Sequence, residues 1–329
     1  MKSWIESFLS ERQQAVLVDG VKSDVLPVES GVPQGSVLGP SLFLLYISDL
    51  PSSLQSTTRL FADDTMCHNT IHKHADQSVL QSDLDALAIW EERWSMEFHP
   101  QKCSTLSAKK SDSKLTPSYV LHDHIIENVD NTKYLGVTIQ SNFKWNGHIE
   151  NTYKKANKTL GFLRRNLKIG NKKTKATAYK TLIRPILEYA SPVWDPHQTD
   201  EVETLNKIQR RAARWVSNRF RQTSSVESII LELKWPSLQD RRTKAGLETF
   251  YKYHNIITIN SKYAPKPSSK RLSRRRNNSC AYDIPNCRTS YWQKSFFPRT
   301  IPEWNHLPED VASTETLDLF KSRLAALLF

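Results

Sequence analysis

The spacing of apolar positions changes several times along this chain, and each change marks an element. Two short β-prone runs, Thr57 to Phe61 and Thr65 to Asn69, predict a hairpin. An earlier hairpin is predicted between Ala15–Val18 and Val25–Val28, turning at Asp19 and Gly20. Between them, Val37 to Leu50 is an apolar run of helical length that follows a Gly- and Pro-rich stretch. From 76 to 98, Leu80, Leu84, Leu87, Trp90 (or Ile89) and Trp94 recur at three or four residues, so they share one helix face, and the two tryptophans read as core. Residues 121–140 alternate as strand, turn and strand, with Lys133, Tyr134, Leu135 and Gly136 on the second strand. A glycine there points to a bulge or a close backbone approach. Helical spacing returns at 153–167 through Tyr153, Ala156, Leu160, Leu163 and Leu167. It returns again at 201–216 through Val202, Leu205, Ile208, Ala212 and Trp215. Trp292, Phe296, Phe297 and Trp304, with an apolar helix from Thr316 to Leu328, form a last apolar group.

The chemistry-bearing residues concentrate in two places. Asp63 and Asp64 follow Phe61 and Ala62 at the predicted hairpin tip. Paired carboxylates suit hard divalent cations, which take carboxylate and phosphate oxygens together, although Asp is also an ordinary turn former. Upstream, Gly31, Pro33, Gln34, Gly35, Ser36 and Gly39 join an extended stretch to the apolar helix. The glycines permit close approach of a ligand to the backbone, and Ser36 is placed to cap the helix start, where free N–H groups can meet phosphate.

In this order and at this spacing, Gly31-Val32-Pro33-Gln34-Gly35-Ser36-Val37-Leu38-Gly39-Pro40 followed by Phe61-Ala62-Asp63-Asp64 resembles the palm of reverse transcriptases, in the variant of the non-LTR (LINE-type) retrotransposons. The resemblance continues through Ala88 to Phe98 with Lys102-Cys103, through Tyr134-Leu135-Gly136-Val137-Thr138, through Leu182 to Trp194, through Gln209 to Trp215 and through Phe297 to Pro308. It covers nearly the whole chain. It implies an α+β fold: a partial polymerase palm of antiparallel sheet with helices over 1–140, then an α-helical thumb and connection region over 141–255. A basic flexible linker over 256–290 and a small C-terminal unit over 291–329 would follow.

The same resemblance implies roles. Asp63 and Asp64 would be catalytic and hold Mg²⁺, two ions in the intact family. Gly31, Pro33, Gln34, Gly35, Ser36, Phe61 and Ala62 would contact template, primer and incoming nucleotide. Lys102 reads either as a lysine near the triphosphate or as an ordinary exposed lysine. Tyr134, Leu135 and Gly136 would form the primer grip, although sheet packing also accounts for a glycine at 136. The partners implied are an RNA template, a DNA primer and deoxynucleoside triphosphates.

Polymerases resembling this one use a third carboxylate, on a strand upstream of the Gln-Gly-Ser loop. The only Asp residues before that loop are Asp19 and Asp24, and both flank Gly20 in the pattern of the first hairpin turn. The expectation is that the fingers and first catalytic strand belong to a missing N-terminal part of the same polyprotein, and that this chain is inactive alone. The alternative of a different class is a non-catalytic basic RNA- or DNA-binding remnant.

Charge sharpens this picture. The net charge is +12, but residues 1–150 carry 12 Lys and Arg against 19 Asp and Glu, whereas 151–221 carry 17 against 5. The basic surplus begins at the expected thumb and points to a polyanionic partner. Lys154, Lys155, Lys158, Arg164, Arg165 and Lys168 fall off the apolar stripe of the first basic helix, as do Arg210, Arg211 and Arg214 in the second. All nine are expected to track a nucleic-acid backbone. Basic clusters between 261 and 279 read as a linker or a binding arm.

Cys67, Cys103, Cys280 and Cys287 are scattered without a disulfide framework, which points to a reducing intracellular setting, cytoplasmic or nuclear. Cys280, Cys287 and His306 match no common zinc spacing, and His68, His72 and His74 read as a solvated run. No apolar run reaches the roughly 18 residues of a membrane span.

Overall fold

Backbone pairing is local: among the described residues, four sheets have two strands each and a fifth has three. The computed structural model describes residues 2–108, 117–168, 170–220, 225–257, 264–268 and 278–328. The result is a mixed α/β structure of many helices and small sheets, divided into two compact units, residues 1–129 and 130–329. Most of the basic clusters between 261 and 279 lie outside the described residues.

The first unit opens with α1 (Lys2–Leu9), then β1 (Gln13–Gln14), β2 (Leu17–Val18), β3 (Val21–Lys22) and β4 (Leu26–Pro27). The predicted hairpin forms, but it returns sooner than the sequence spacing suggests. Asp19 and Gly20 both take positive φ, which matches the right-handed strand twist, and Val18 pairs with Val21 directly across them. Next come α2 (Gly39–Tyr46), β5 (Thr57–Phe61), β6 (Asp64–His68) and α3 (His74–Trp94). The apolar face expected over 76–98 is the core of this unit: Leu87 and Trp90 pack with Ile47 and Leu50, and with Phe43, Leu60 and Cys67.

The last sheet holds β7 (Ser104–Leu106), β8 (Tyr119–Leu121) and β9 (His124–Val129). The antiparallel sheet expected from the sequence is therefore present as separate hairpins, and one pairing, β7 with β9, is parallel. The stretch from 107 to 123 supplies the return length that a parallel pair needs.

The second unit begins with β10 (Asn131–Tyr134) and β11 (Val137–Gln140), followed by α4 (Asn146–Asn166) and α5 (Lys172–Ala178). Tyr179–Ile183 then widens into a π-helical turn before α6 (Arg184–Glu188). Pro185 explains it, since a proline lacks the N–H that would continue the α-helical ladder and its ring crowds the preceding turn. After α7 (Ser191–Trp194) come α8 (Thr199–Ser217), α9 (Val226–Glu232) and α10 (Leu238–Asn255). The chain finishes with α11 (Ser290–Lys294), α12 (Phe296–His306), α13 (Glu309–Ala312) and α14 (Leu317–Leu328).

The two predicted amphipathic helices, α4 and α8, bury their stripes against each other, Ala156, Leu160 and Leu163 meeting Leu205, Ile208 and Ala212. A second core joins Leu247, Phe250 and Tyr251 of α10 to Ile301, Trp304, Phe320 and Leu324. The C-terminal aromatic residues thus close over α10.

Between these cores lies a buried polar layer. Arg242 donates to Asp195 at 2.6 Å and to Gln239 at 2.7 Å, and Arg299 approaches Asp195 from the other side at 3.6 Å. Elsewhere in the unit the buried His148 accepts from the Thr138 amide at 3.1 Å and packs on the Trp194 ring.

Burial holds both His148 and His254 below the usual histidine range, so each is preferentially neutral in the fold. Their contribution is present above the ordinary histidine value of about 6.5 and is lost as pH falls through it toward the lower folded value. Urea unfolding of the chain is expected to shift to lower midpoint between about pH 7 and pH 5, and His148→Gln to flatten part of that dependence.

Candidate functional site

The β5–β6 hairpin is closed by two residues. Phe61 pairs with Asp64, and Ala62 and Asp63 make the turn, with Ala62 in the left-handed region at φ 50°. The sequence places both acids at the tip; the structure separates them, Asp63 in the turn and Asp64 as the first residue of the returning strand. Both side chains are exposed, as are Phe61 and Ala62.

What fixes this hairpin lies beneath it. Leu60 and Cys67 pack into the α3 core, and Cys67 lies 3.3 Å from the Thr58 hydroxyl, with burial pushing its thiol up from the ordinary value. The entry to β5 is held by Asp83, a buried carboxylate on α3 that accepts from the Gln55 and Ser56 amides at 2.8 Å each. Farther along α3, the Trp90 indole donates to Asp49 at 3.0 Å, tying down the segment between α2 and β5.

The Gln-Gly-Ser loop is built from its own hydrogen bonds. Ser36 Oγ donates to the Pro33 carbonyl at 2.7 Å and accepts from the Gly39 amide at 3.0 Å. Ser36 thus closes the turn before the helix and is not its N-cap: the helix starts at Gly39 and not at Val37, and its N-cap position, Leu38, makes no side-chain cap. Gly35 has φ 79°, a conformation that a side chain would strain. Gln34 and Gly35 are exposed, and Pro33 and Ser36 are half-buried. Arg12, which the sequence reading did not single out, donates to the Ser30 and Gly31 carbonyls at 3.0 and 2.7 Å.

Because Ile47 and Leu50 share a core with Leu60 and Cys67, the segment after this loop and the acidic hairpin pack as one body. Lys102 stands exposed in the short helical turn Pro100–Lys102 of the same unit.

The remaining residues of interest belong to the second unit. Leu135 and Gly136 form the two-residue turn between β10 and β11, with φ 45° and 80°. Gly136 was expected inside a strand; it lies in the turn, and the close approach is made by Tyr189, whose Cε1 would sit 3.0 Å from an added Cβ. On α4, Lys154, Lys155, Lys158, Arg164 and Arg165 are exposed, as is Lys168 just beyond it. Lys154 pairs with Glu150 at 2.7 Å, and Arg164 lies over the Phe220 ring.

On α8 the cations are more engaged. Arg210 grips Glu203 through two hydrogen bonds of 2.6 and 2.8 Å, and Arg211 reaches Tyr153 and Asn157 on α4. Arg214 is half-buried.

Asp63 and Asp64 suit a divalent cation in kind, as hard anionic oxygen donors. Among the described residues no group of three or more His, Cys, Asp or Glu could hold a metal ion, so the donor set falls short in number. Cys280 and His306 form no such group either. Among the described residues no helix is long and apolar enough to cross a membrane.

Residues 1–139 match the family described as reverse transcriptase (RNA-dependent DNA polymerase). Over 255 residues, 72% of this chain, the sequence is 30% identical to the RNA-directed DNA polymerase from mobile element jockey of Drosophila melanogaster. It is 26% identical over 77% of the chain to the Drosophila funebris protein of the same name. It is 27% identical over 65% to the probable RNA-directed DNA polymerase from transposon BS of Drosophila melanogaster. The chain belongs to the reverse transcriptases of non-LTR retrotransposons. It covers only 25–28% of the length of these relatives. Polymerases of this family generally use divalent metal ions, a nucleic-acid template and nucleotide substrates.

Replacing Asp83 by Ala is expected to cost about 3 kcal/mol, since the buried Ser56 amide and the part-buried Gln55 amide lose a charged acceptor. Urea unfolding followed by tryptophan fluorescence would measure it, and Asp83→Asn should fall between variant and parent.

Proposed function

We propose that this chain supplies the partial palm and thumb of an RNA-directed DNA polymerase that adds deoxynucleotides to a DNA 3′ end on an RNA template with Mg²⁺. The observation that carries this reading is the shared core beneath the exposed Asp63–Asp64 hairpin and the helix that follows the Gln34–Ser36 loop. In this reading Asp63 and Asp64 present metal ligands, and Mg²⁺, when bound, supplies the charge that stabilises the reacting phosphate oxygens. Gln34, Gly35 and Ser36 border the incoming nucleotide and template, with Gly31 and Pro33 shaping the loop. Phe61 and Ala62 line the primer side of the hairpin, and Lys102 approaches the triphosphate. Tyr134, Leu135 and Gly136 grip the primer.

The exposed cations of α4, together with Lys168 and the α8 residues Arg210, Arg211 and Arg214, follow the phosphate backbone. In domain terms, 1–140 is palm, 141–255 thumb and connection, 256–290 basic linker and 291–329 a C-terminal unit.

Mg²⁺ demands near-octahedral oxygen coordination, which two carboxylates cannot complete. Were Mg²⁺ held by Asp63 and Asp64, its remaining ligands would have to come from water, nucleotide phosphates and a further carboxylate. The greater length of the relatives supports a source for that carboxylate in another part of the same polyprotein. By itself the chain then acts as a primer–template-binding body.

Primer extension on an RNA template with Mg²⁺ tests this. The expected result is binding without extension, with Asp63→Asn binding as tightly as the parent. Extension by the chain alone, abolished in Asp63→Asn, would show that another acid completes the site. If about six to ten cations meet phosphates, affinity should fall about 10³–10⁵-fold between roughly 50 and 200 mM salt. A salt-independent affinity would remove the backbone-tracking role of these helices.

A further inference from the structure

Tyr189 combines exposure with restraint. Its residue is 56% exposed, yet the ring is held at several points. The hydroxyl donates to the Leu135 carbonyl at 2.9 Å, and the ring edge lies against Gly136. Its own carbonyl accepts from the fully buried Trp194 indole at 2.8 Å. The residue before it, Glu188, is gripped by both Arg241 and Arg184, and Ala190 after it takes φ 52°. The backbone on both sides is therefore fixed, and the side chain has one place to go.

Gly136 completes the arrangement. With φ 80° it occupies a region that side chains strain to enter, and any Cβ would press on the Tyr189 ring. The turn and the tyrosine thus form one surface: a two-residue hairpin turn with a flat aromatic ring laid along it. Lys133, exposed on β10 two residues before the turn, adds a cation to the same hairpin.

A held, exposed aromatic residue on a hairpin that also carries an exposed cation suits a nucleic-acid strand. Bases stack on such rings with little regard for sequence, because every base has a π-face. A ring already held in place loses little rotamer freedom on binding, so more of the stacking free energy is realised.

We propose that Tyr189 is a nucleic-acid contact residue: its ring is a stacking platform for the terminal nucleotide of the bound primer, held in register with the Leu135–Gly136 turn by its hydroxyl. This rests on the primer–template reading above. It adds a residue from the α6–α7 junction to the hairpin contact, so that the strand end is read by the turn and the ring together.

The test uses the full chain and an RNA–DNA primer–template carrying 2-aminopurine at the primer terminus, with a blunt duplex of equal length for comparison. Binding to the parent should quench the terminal fluorophore by stacking. Tyr189→Ala should lose that quenching and bind the recessed-end duplex about 5- to 150-fold more weakly. A 2-aminopurine placed inside the duplex should show the same fluorescence with parent and variant. Tyr189→Phe, which keeps the ring and loses the tether, should retain quenching. Should Tyr189→Ala fail to melt cooperatively, Tyr189→Leu, bulky but not aromatic, carries the same expectation.

A folded Ala or Leu variant that quenches like the parent would overturn the platform. So would a parent chain that binds the duplex without quenching, and in both cases the primer–template reading stands. A parent chain that binds neither duplex would overturn that reading and the platform with it.

Discussion

The geometry of the acidic hairpin depends on a single buried carboxylate. Asp83 accepts the two amides at the entrance to β5, and Leu60 and Cys67 seat the paired strands that follow on the core of the same helix. A buried charge is costly unless hydrogen-bonded, and here both carboxylate oxygens are used. The same helix offers Leu87 and Trp90 to the core, so one amphipathic element supplies the apolar floor and the polar clamp. The exposed carboxylates above can then be close together in sequence and solvent-facing without the hairpin giving way to their mutual repulsion.

The second unit answers a different demand, that of holding an excess of positive charge on a stable scaffold. Its two cores are apolar and contiguous with α10, and the cations are pushed to helix faces that the stripes leave free. Part of that charge is internally engaged, through Glu203, Glu150, Tyr153 and Asn157, which fixes where the guanidinium and ammonium groups point. Asp195 does the corresponding work inside, accepting from Arg242 and facing Arg299 where α10 meets α12. One carboxylate between two guanidiniums lets the C-terminal helices pack over α10 without leaving the Arg242 charge unopposed.

Periodicity made the helices legible. The faces over 76–98, 153–167 and 201–216 are those that pack, and the Phe61–Asp64 segment turns where the β-prone runs break. Positions decided by backbone sign and by distant partners were not legible. Nothing near Gly136 announces the turn, because that depends on Leu135 taking positive φ, which a leucine rarely does. Arg12 and Asp83 likewise act on amides and carbonyls about 18 and 28 residues away. Their patterns are those of any exposed arginine or helical aspartate. The parallel β7–β9 pair was missed for the same reason, since pairing across an intervening strand leaves no mark in the alternation of either partner.

The four short strands between Gln13 and Pro27 bury none of their residues, so hydrogen bonds hold them without a core, the Val16 amide donating to Ser23 Oγ at 2.9 Å among them. Such a segment opens at a free energy well below that of global unfolding and exchanges its amides first. Arg12 sits at the edge of these strands, and its guanidinium holds the Ser30 and Gly31 carbonyls at the start of the Gln-Gly-Ser loop. Order at the start of that loop is therefore coupled through Arg12 to a segment without a buried core, and a ligand that orders the loop would raise exchange protection in β1 to β4 without touching them.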